Sequence, residues 1–103
     1  MVLEVAILDV IPDQERDFEA AFAKASHIIA GMPGYLSHQL QRGIEKENRY
    51  VVLVNWEKLE DHTVGFRGSD GYQAWRKLLH HFYDPFPTVE HYHLVQNYPA
   101  SVD

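Results

Sequence analysis

The chain contains no cysteine among its 103 residues. Disulfide staples, thiolate nucleophiles and cysteine-ligated zinc are therefore excluded. Basic residues are scarce too: nine Lys and Arg stand against fifteen Asp and Glu, a formal net charge of −6 at pH 7. A nucleic-acid module needs a basic footprint, and this chain has none. No apolar run reaches the roughly 18 residues of a membrane span, and the start lacks the charged-then-apolar pattern of an export signal. These absences set the expectation of a cytoplasmic protein with neither a membrane nor a nucleic acid as partner. GxSxG, phosphate-loop and GxGxxG patterns are missing as well, and nothing points to a Ser-His-Asp nucleophile.

What is present is an ordinary globular balance, with 46% apolar and 23% charged residues, and an excess of rings: seven His, six Tyr, five Phe and two Trp. The length suits a single domain spanning 1–103, with a core over 2–96 and a flexible tail over 97–103. Residues 2–11 alternate as a strand that is apolar on both faces, interrupted only by Glu4 and Asp9. Pro12 and Asp13 form a turn and a helix cap. Residues 14–30 then carry Phe18, Ala21, Phe22, Ala25 and Ile29 on one helical stripe. Gly31 closes that helix, and Met32-Pro33-Gly34 turns the chain. Strands follow at 35–42 and 49–56, the second β-branched and aromatic throughout. A short helix is expected over 59–66. A longer one over 71–83, capped by Ser69 or Asp70, places Tyr72, Trp75, Leu78, Leu79 and Phe82 on one stripe. Pro85 and Pro87 end it, and residues 88–96 read as a last strand.

The order is β-α-β-β-α-β, the ferredoxin-like α+β arrangement with a four-stranded antiparallel sheet and both helices on one face. The other sheet face then lacks a cover although its residues are apolar. Such a face is an interface by default, and a second copy of the chain would cover it.

Several side chains could carry chemistry. His91 and His93 share a strand face by alternation and, with His38, could ligate a metal; equally, they could be hydrogen-bonded interface residues. His62 lies one turn before Phe66, where it could act as a base near neutral pH or bond to Asp61 or a backbone carbonyl. His80 lies one helical turn after Arg76. Phe66, Arg67, Tyr72 and Trp75 form an aromatic set around one arginine, which suits either a packed helix or a ligand pocket. Gly65, Gly68 and Gly71 break the helical pattern beside that set, as a pocket mouth would.

The segments 18–22 (Phe-Glu-Ala-Ala-Phe), 32–35 (Met-Pro-Gly-Tyr) and 53–57 (Leu-Val-Asn-Trp-Glu), followed by His62, Phe66 and 69–72 (Ser-Asp-Gly-Tyr), carry a resemblance over residues 2–96. The chain resembles the antibiotic biosynthesis monooxygenase (ABM) domain family of the dimeric α+β barrel group. The resemblance implies a homodimer through the sheet face, a pocket between helices and sheet in each protomer, and in some relatives cofactor-independent oxidation of phenolic substrates by dioxygen. The haem-degrading pattern is not reproduced. The first strand has no asparagine, Phe66 stands where those relatives have tryptophan, and Arg76 falls near the position of their haem-ligating histidine.

The expected function is thus a monooxygenase acting on a small aromatic, phenolic or quinol-type substrate without a bound cofactor. His62 or His80 would take a proton, Asn55 and Arg67 would stabilise the anion, and Trp56, Phe66, Tyr72 and Trp75 would hold the ring. Two other readings stay open: a non-enzymatic dimeric module for a small aromatic ligand, and a His-rich metal- or haem-binding protein.

Overall fold

The structure is a computed structural model in which residues 1–101 are described. Val102 and Asp103, the end of the expected 97–103 tail, lie outside the described residues. The elements are β1 (Val2–Asp9), α1 (Glu15–Ile29), β2 (Tyr35–Arg42), β3 (Arg49–Trp56), a π-helical segment (Asp61–Phe66), α2 (Asp70–Leu79), a 3-10 turn (His80–Phe82) and β4 (Val89–Tyr92). All strand pairs are antiparallel, in the order β2-β3-β1-β4. This is the four-stranded α+β, ferredoxin-like sheet expected from the pattern, with α1 and α2 in contact with each other.

Alternation decides what each sheet face carries. Glu4, Ala6 and Leu8 of β1 and Tyr50, Val52, Val54 and Trp56 of β3 are buried, and they meet Phe18, Phe22 and Ile29 of α1 and Trp75 and Leu79 of α2 in one core. Leu3, Val5, Val51 and Leu53 point the other way and are only partly covered, and Ile7 is 49% exposed. Two helices thus cover one face of the sheet and leave an apolar face open.

The boundaries differ from expectation where a partner runs out. β1 stops at Asp9 because its neighbour β3 begins at Arg49, which pairs with Asp9; Val10 keeps a single bridge to Tyr83. β4 spans four residues rather than 88–96, because Tyr92 already faces Leu3 near the beginning of β1. His93 therefore lies beyond the ladder and is exposed. Helix α1 is capped at Gln14 with no side-chain bond, while Asp13 takes a positive φ of 74° instead of serving as the cap. Helix α2 begins as expected: Ser69 Oγ accepts from the Tyr72 N–H at 3.1 Å and donates to Phe66 O at 2.6 Å. The helix gives way to the 3-10 turn at His80.

Gly34 is required by its surroundings. Gly34 has φ of 82°, and a Cβ there would collide with the Asp61 carboxyl, which is fixed by the Lys58 N–H at 3.0 Å. Gly34→Ala should therefore lower stability by about 2 kcal/mol, from the left-handed backbone and the displaced Asp61 together. An unchanged urea midpoint would contradict it. Gly71 has Ile28 Cγ2 and Met32 Sδ each 3.3 Å from where a Cβ would sit, so it allows α2 to approach the end of α1. Gly71 is thus a packing glycine, and the pocket-mouth reading of the glycines does not extend to it.

Candidate functional site

A cavity of about 350 Å³ lies between the helix-side face of the sheet and the segment running from the π-helix through α2. Phe66, Tyr72 and Trp75 give it aromatic walls; Glu4, His62, Arg67 and His80 supply polar groups; Phe86 and Pro87 border it from the loop before β4. Its size falls within the range of small-ligand pockets, roughly 300–1,000 Å³, and its composition has the same character, apolar with a few convergent polar groups.

The π-helical segment determines which side chains meet. Its wider turn bonds the Arg67 N–H to His62 O at 3.1 Å, five residues back, so His62 and Arg67 are stacked and both reach the cavity. Isolated π turns inside helical stretches are uncommon and recur at functional sites.

His62 is 3% exposed, and its ring stacks on Trp56 with centroids 5.6 Å apart. Its Nδ1 is hydrogen-bonded to His91 Nε2 at 2.8 Å, while Nε2 lies 3.4 Å from Glu4 Oε1, close but outside hydrogen-bond geometry. Glu4 is 8% exposed and accepts from the Trp56 indole N–H at 3.0 Å. Burial pushes the His62 pKa down to about 3, helped by the Arg67 cation and by His91. Burial lifts the Glu4 carboxyl above its ordinary value, opposed by the Trp56 bond and by Arg67. His91 and His80 are both held low by burial, with Arg67 and Arg76 respectively adding to the effect. His62 is therefore a neutral ring over the physiological range, with a buried carboxyl beside it.

Of the side chains singled out in the sequence, His62, Phe66, Arg67, Tyr72, Trp75 and His80 line this cavity. Trp56 is wholly buried behind it and reaches the site through Glu4 and His62. Asn55 does not belong to it. It sits on the open sheet face, where its side-chain amide donates to Ser37 Oγ at 3.0 Å; consecutive strand residues face opposite ways, so Asn55 points away from Trp56 and from the cavity. Sequence reasoning missed Glu4, whose signal was a carboxylate inside an apolar strand, and it paired His91 with His93 rather than with His62.

The metal reading finds no geometry within one chain. His38 and His91 lie on β2 and β4, the opposite edges of the sheet. His38 is instead fixed by the Tyr35 hydroxyl at 2.6 Å and Ser26 Oγ at 2.9 Å. Among the described residues, no three His, Cys, Asp or Glu side chains converge as a metal site. No helix among them is long and apolar enough to cross a membrane.

Fold and cavity together define a small α+β domain with a pocket walled by aromatic side chains and a few polar groups. The family model described as antibiotic biosynthesis monooxygenase matches residues 1–78, and the chain belongs to that family. Protein YczJ of Bacillus subtilis is 54% identical over 92 residues, covering 89% of this chain and 97% of YczJ. A mycobilin-producing heme oxygenase of Mycobacterium tuberculosis is 28% identical over 74 residues, 72% of this chain and 61% of that protein. Among solved structures, a Bordetella bronchiseptica protein described as an antibiotic biosynthesis monooxygenase of this type superposes with a TM-score of 0.89 at 37% identity, covering 92% of this chain and 97% of its own. SnoaB of Streptomyces nogalater, a cofactor-independent oxygenase, superposes with a TM-score of 0.77 at 25% identity, covering 96% and 97%.

Proposed function

We propose that the protein is a cofactor-independent monooxygenase that oxidises a small phenolic or quinol-type aromatic with dioxygen, and that it works as a homodimer joined through the open sheet face. The observation that carries the reading is the cavity itself: aromatic walls from Phe66, Tyr72 and Trp75 around a polar end made by Glu4, His62, Arg67 and His80. The similarity to SnoaB supports the reaction class, and the uncovered apolar face of Leu3, Val5, Ile7, Val51 and Leu53 supports the dimer.

The ring of the substrate lies between the aromatic walls, and its acidic proton passes to the polar end. Arg67 then stabilises the anion by its charge from the exposed rim of the cavity. The carbanion form of that anion transfers electrons to dioxygen, the oxidant, and a C–O bond forms as a peroxide. Protonation and loss of water leave a carbonyl on the ring. His62 and His80, expected from sequence as bases, differ here: the His80 ring lines the cavity without a hydrogen-bond partner among the described residues, whereas His62 is bonded to His91 through Nδ1 and turned to Glu4 through Nε2.

Dioxygen uptake with a panel of hydroquinones and anthrone-like phenols tests the reading, alongside sedimentation to establish the dimer. Arg67→Gln should lower kcat about tenfold, less than a fully buried oxyanion donor would, because Arg67 is exposed. Absence of uptake across the panel, with these compounds nonetheless binding, would favour a ligand-binding module instead.

A further inference from the structure

We propose that Glu4 is the proton-accepting group of the cavity, and that the neutral, hydrogen-bonded His62–His91 pair, with His62 Nε2 3.4 Å from Oε1, holds its carboxylate in position. The inference deepens the oxygenase reading and rests on it for the identity of the proton donor.

Glu4 borders the cavity from the floor of the sheet, between Trp56 and the π-helical segment. Its contacts to Trp56 Nε1 and to His62 Nε2 both fall on Oε1, which leaves Oε2 as the oxygen available to a substrate. His62 is poorly placed to take the substrate proton itself, because Nδ1 is held by His91 and Nε2 is turned towards Glu4, 3.4 Å from Oε1. Finally, a carboxyl in the middle of an apolar strand costs stability compared with a valine or leucine there, so its burial points to function rather than to packing.

The arrangement that fits an ionised Glu4 has the His91 Nε2–H donating to His62 Nδ1, which puts the His62 proton on Nε2, facing Oε1. Both rings stay neutral, so they add no charge beside the carboxylate; Arg67 is the nearby cation, and burial outweighs its effect. Around it stand His62 and Arg67 from the π-helical segment, His91 from β4, Trp56 from β3 and Tyr72 from α2, with His80 and Tyr83 farther along the wall. A carboxyl held by neutral donors in this enclosure has a greater proton affinity than one in water, as burial requires.

In the proton transfer, the substrate O–H or C–H bond breaks, a new O–H bond forms at Oε2, and the electron pair stays on the substrate as its anion. Dioxygen, already the oxidant of the proposed reaction, accepts the substrate's electrons. The resulting peroxide anion then takes the proton back from Oε2, which restores the Glu4 carboxylate before water leaves. Glu4 is a catalytic residue in this scheme; His62 and His91 are positioning residues.

The experiment combines dioxygen uptake with carbon-13 NMR of the glutamate side-chain carboxyls in the full chain, using Glu4→Gln to assign the Glu4 signal. The wild-type signal should titrate above the ordinary Glu value of 4.5 and should shift when hydroquinone is added as a probe. Glu4→Gln should lower kcat by about a hundredfold or more, with KM changed little. His91→Phe keeps a ring at the strand edge and removes the donor to His62. It should displace the Glu4 titration and move the acid limb of the pH–rate profile with it, a change that loss of packing alone would not cause. Wild-type turnover in Glu4→Gln together with loss of turnover in His80→Ala would overturn the proposal in favour of His80. If no compound supports dioxygen uptake, the oxygenase reading fails, and the NMR result still decides: an ordinary titration, or a signal indifferent to hydroquinone, overturns the role of Glu4.

Discussion

Lowering the pH from about 6.5 towards 3 should cost the protein roughly 3–5 kcal/mol of stability through His62 alone. In the unfolded chain this imidazole takes a proton near its ordinary value of 6.5, whereas in the fold it resists protonation down to about 3. Between those values the unfolded state binds more protons, so acid favours unfolding. The stabilising contribution is complete above about pH 6.5 and is lost as the pH falls through the folded value. His38, His80 and His91 are displaced in the same direction and add to the slope. Glu4 opposes it: its folded pKa is raised, so its contribution is present below the unfolded value of 4.5 and is lost as pH rises through the folded one. Urea titrations across this range, at fixed protomer concentration, give the slope. In His62→Gln the slope should flatten markedly. An equally steep slope in that variant would show that His62 is protonated in the folded protein.

Trp56→Ala should be the most damaging single substitution at the site, with a loss of about 4–6 kcal/mol. The indole is fully buried, stacked on His62 and tilted against Phe66. Its removal leaves a large void, and it also takes away the N–H that satisfies Glu4. A small domain has only about 5–15 kcal/mol of stability in total, so this variant should be close to unfolding at room temperature. Trp56→Phe keeps most of the volume and strands only the carboxyl, so its loss should be about 1–3 kcal/mol. The two urea midpoints, compared at equal m-values, separate packing from hydrogen bonding. Equal losses in both variants would mean that the Glu4 bond dominates, and a negligible loss in Trp56→Phe that it contributes little.

The order of elements could be read from periodicity because each strand alternates cleanly and each helix has one apolar stripe. Phe18, Phe22, Ala25 and Ile29 are buried along α1 just as their spacing requires. The site was legible only in part. Phe66, Tyr72 and Trp75 drew attention as a ring cluster, and their common cavity follows from the segment connecting them. Glu4, by contrast, acquires its meaning from Trp56, His62 and His91, which three other elements bring to it; no local pattern encodes that meeting. His91 and His93 look like a pair by period two, but β4 ends at Tyr92, opposite Leu3 near the beginning of β1, and His93 lies outside the ladder. Asn55 is the instructive case in the opposite direction, since strand alternation already forbade it from sharing a sheet face with Trp56. Even where the chain was expected to be helical, over 59–66, nothing in its composition separates a π turn from an α turn.

That turn makes the cavity unusually sensitive to chain length. Between Asp61 and Phe66 the backbone accommodates one residue more per turn than an α-helix needs. Deleting a single residue here would let the segment relax to ordinary helical bonding, rotating the residues downstream by about a hundred degrees. His62 would stay with Glu4, but Arg67 would turn off the cavity wall. Relatives that share this sheet yet differ by one residue in this stretch would keep the same aromatic enclosure with a different charge facing into it. Insertion and deletion, more than substitution, can therefore change the polarity of the pocket while leaving the core of the domain as it was.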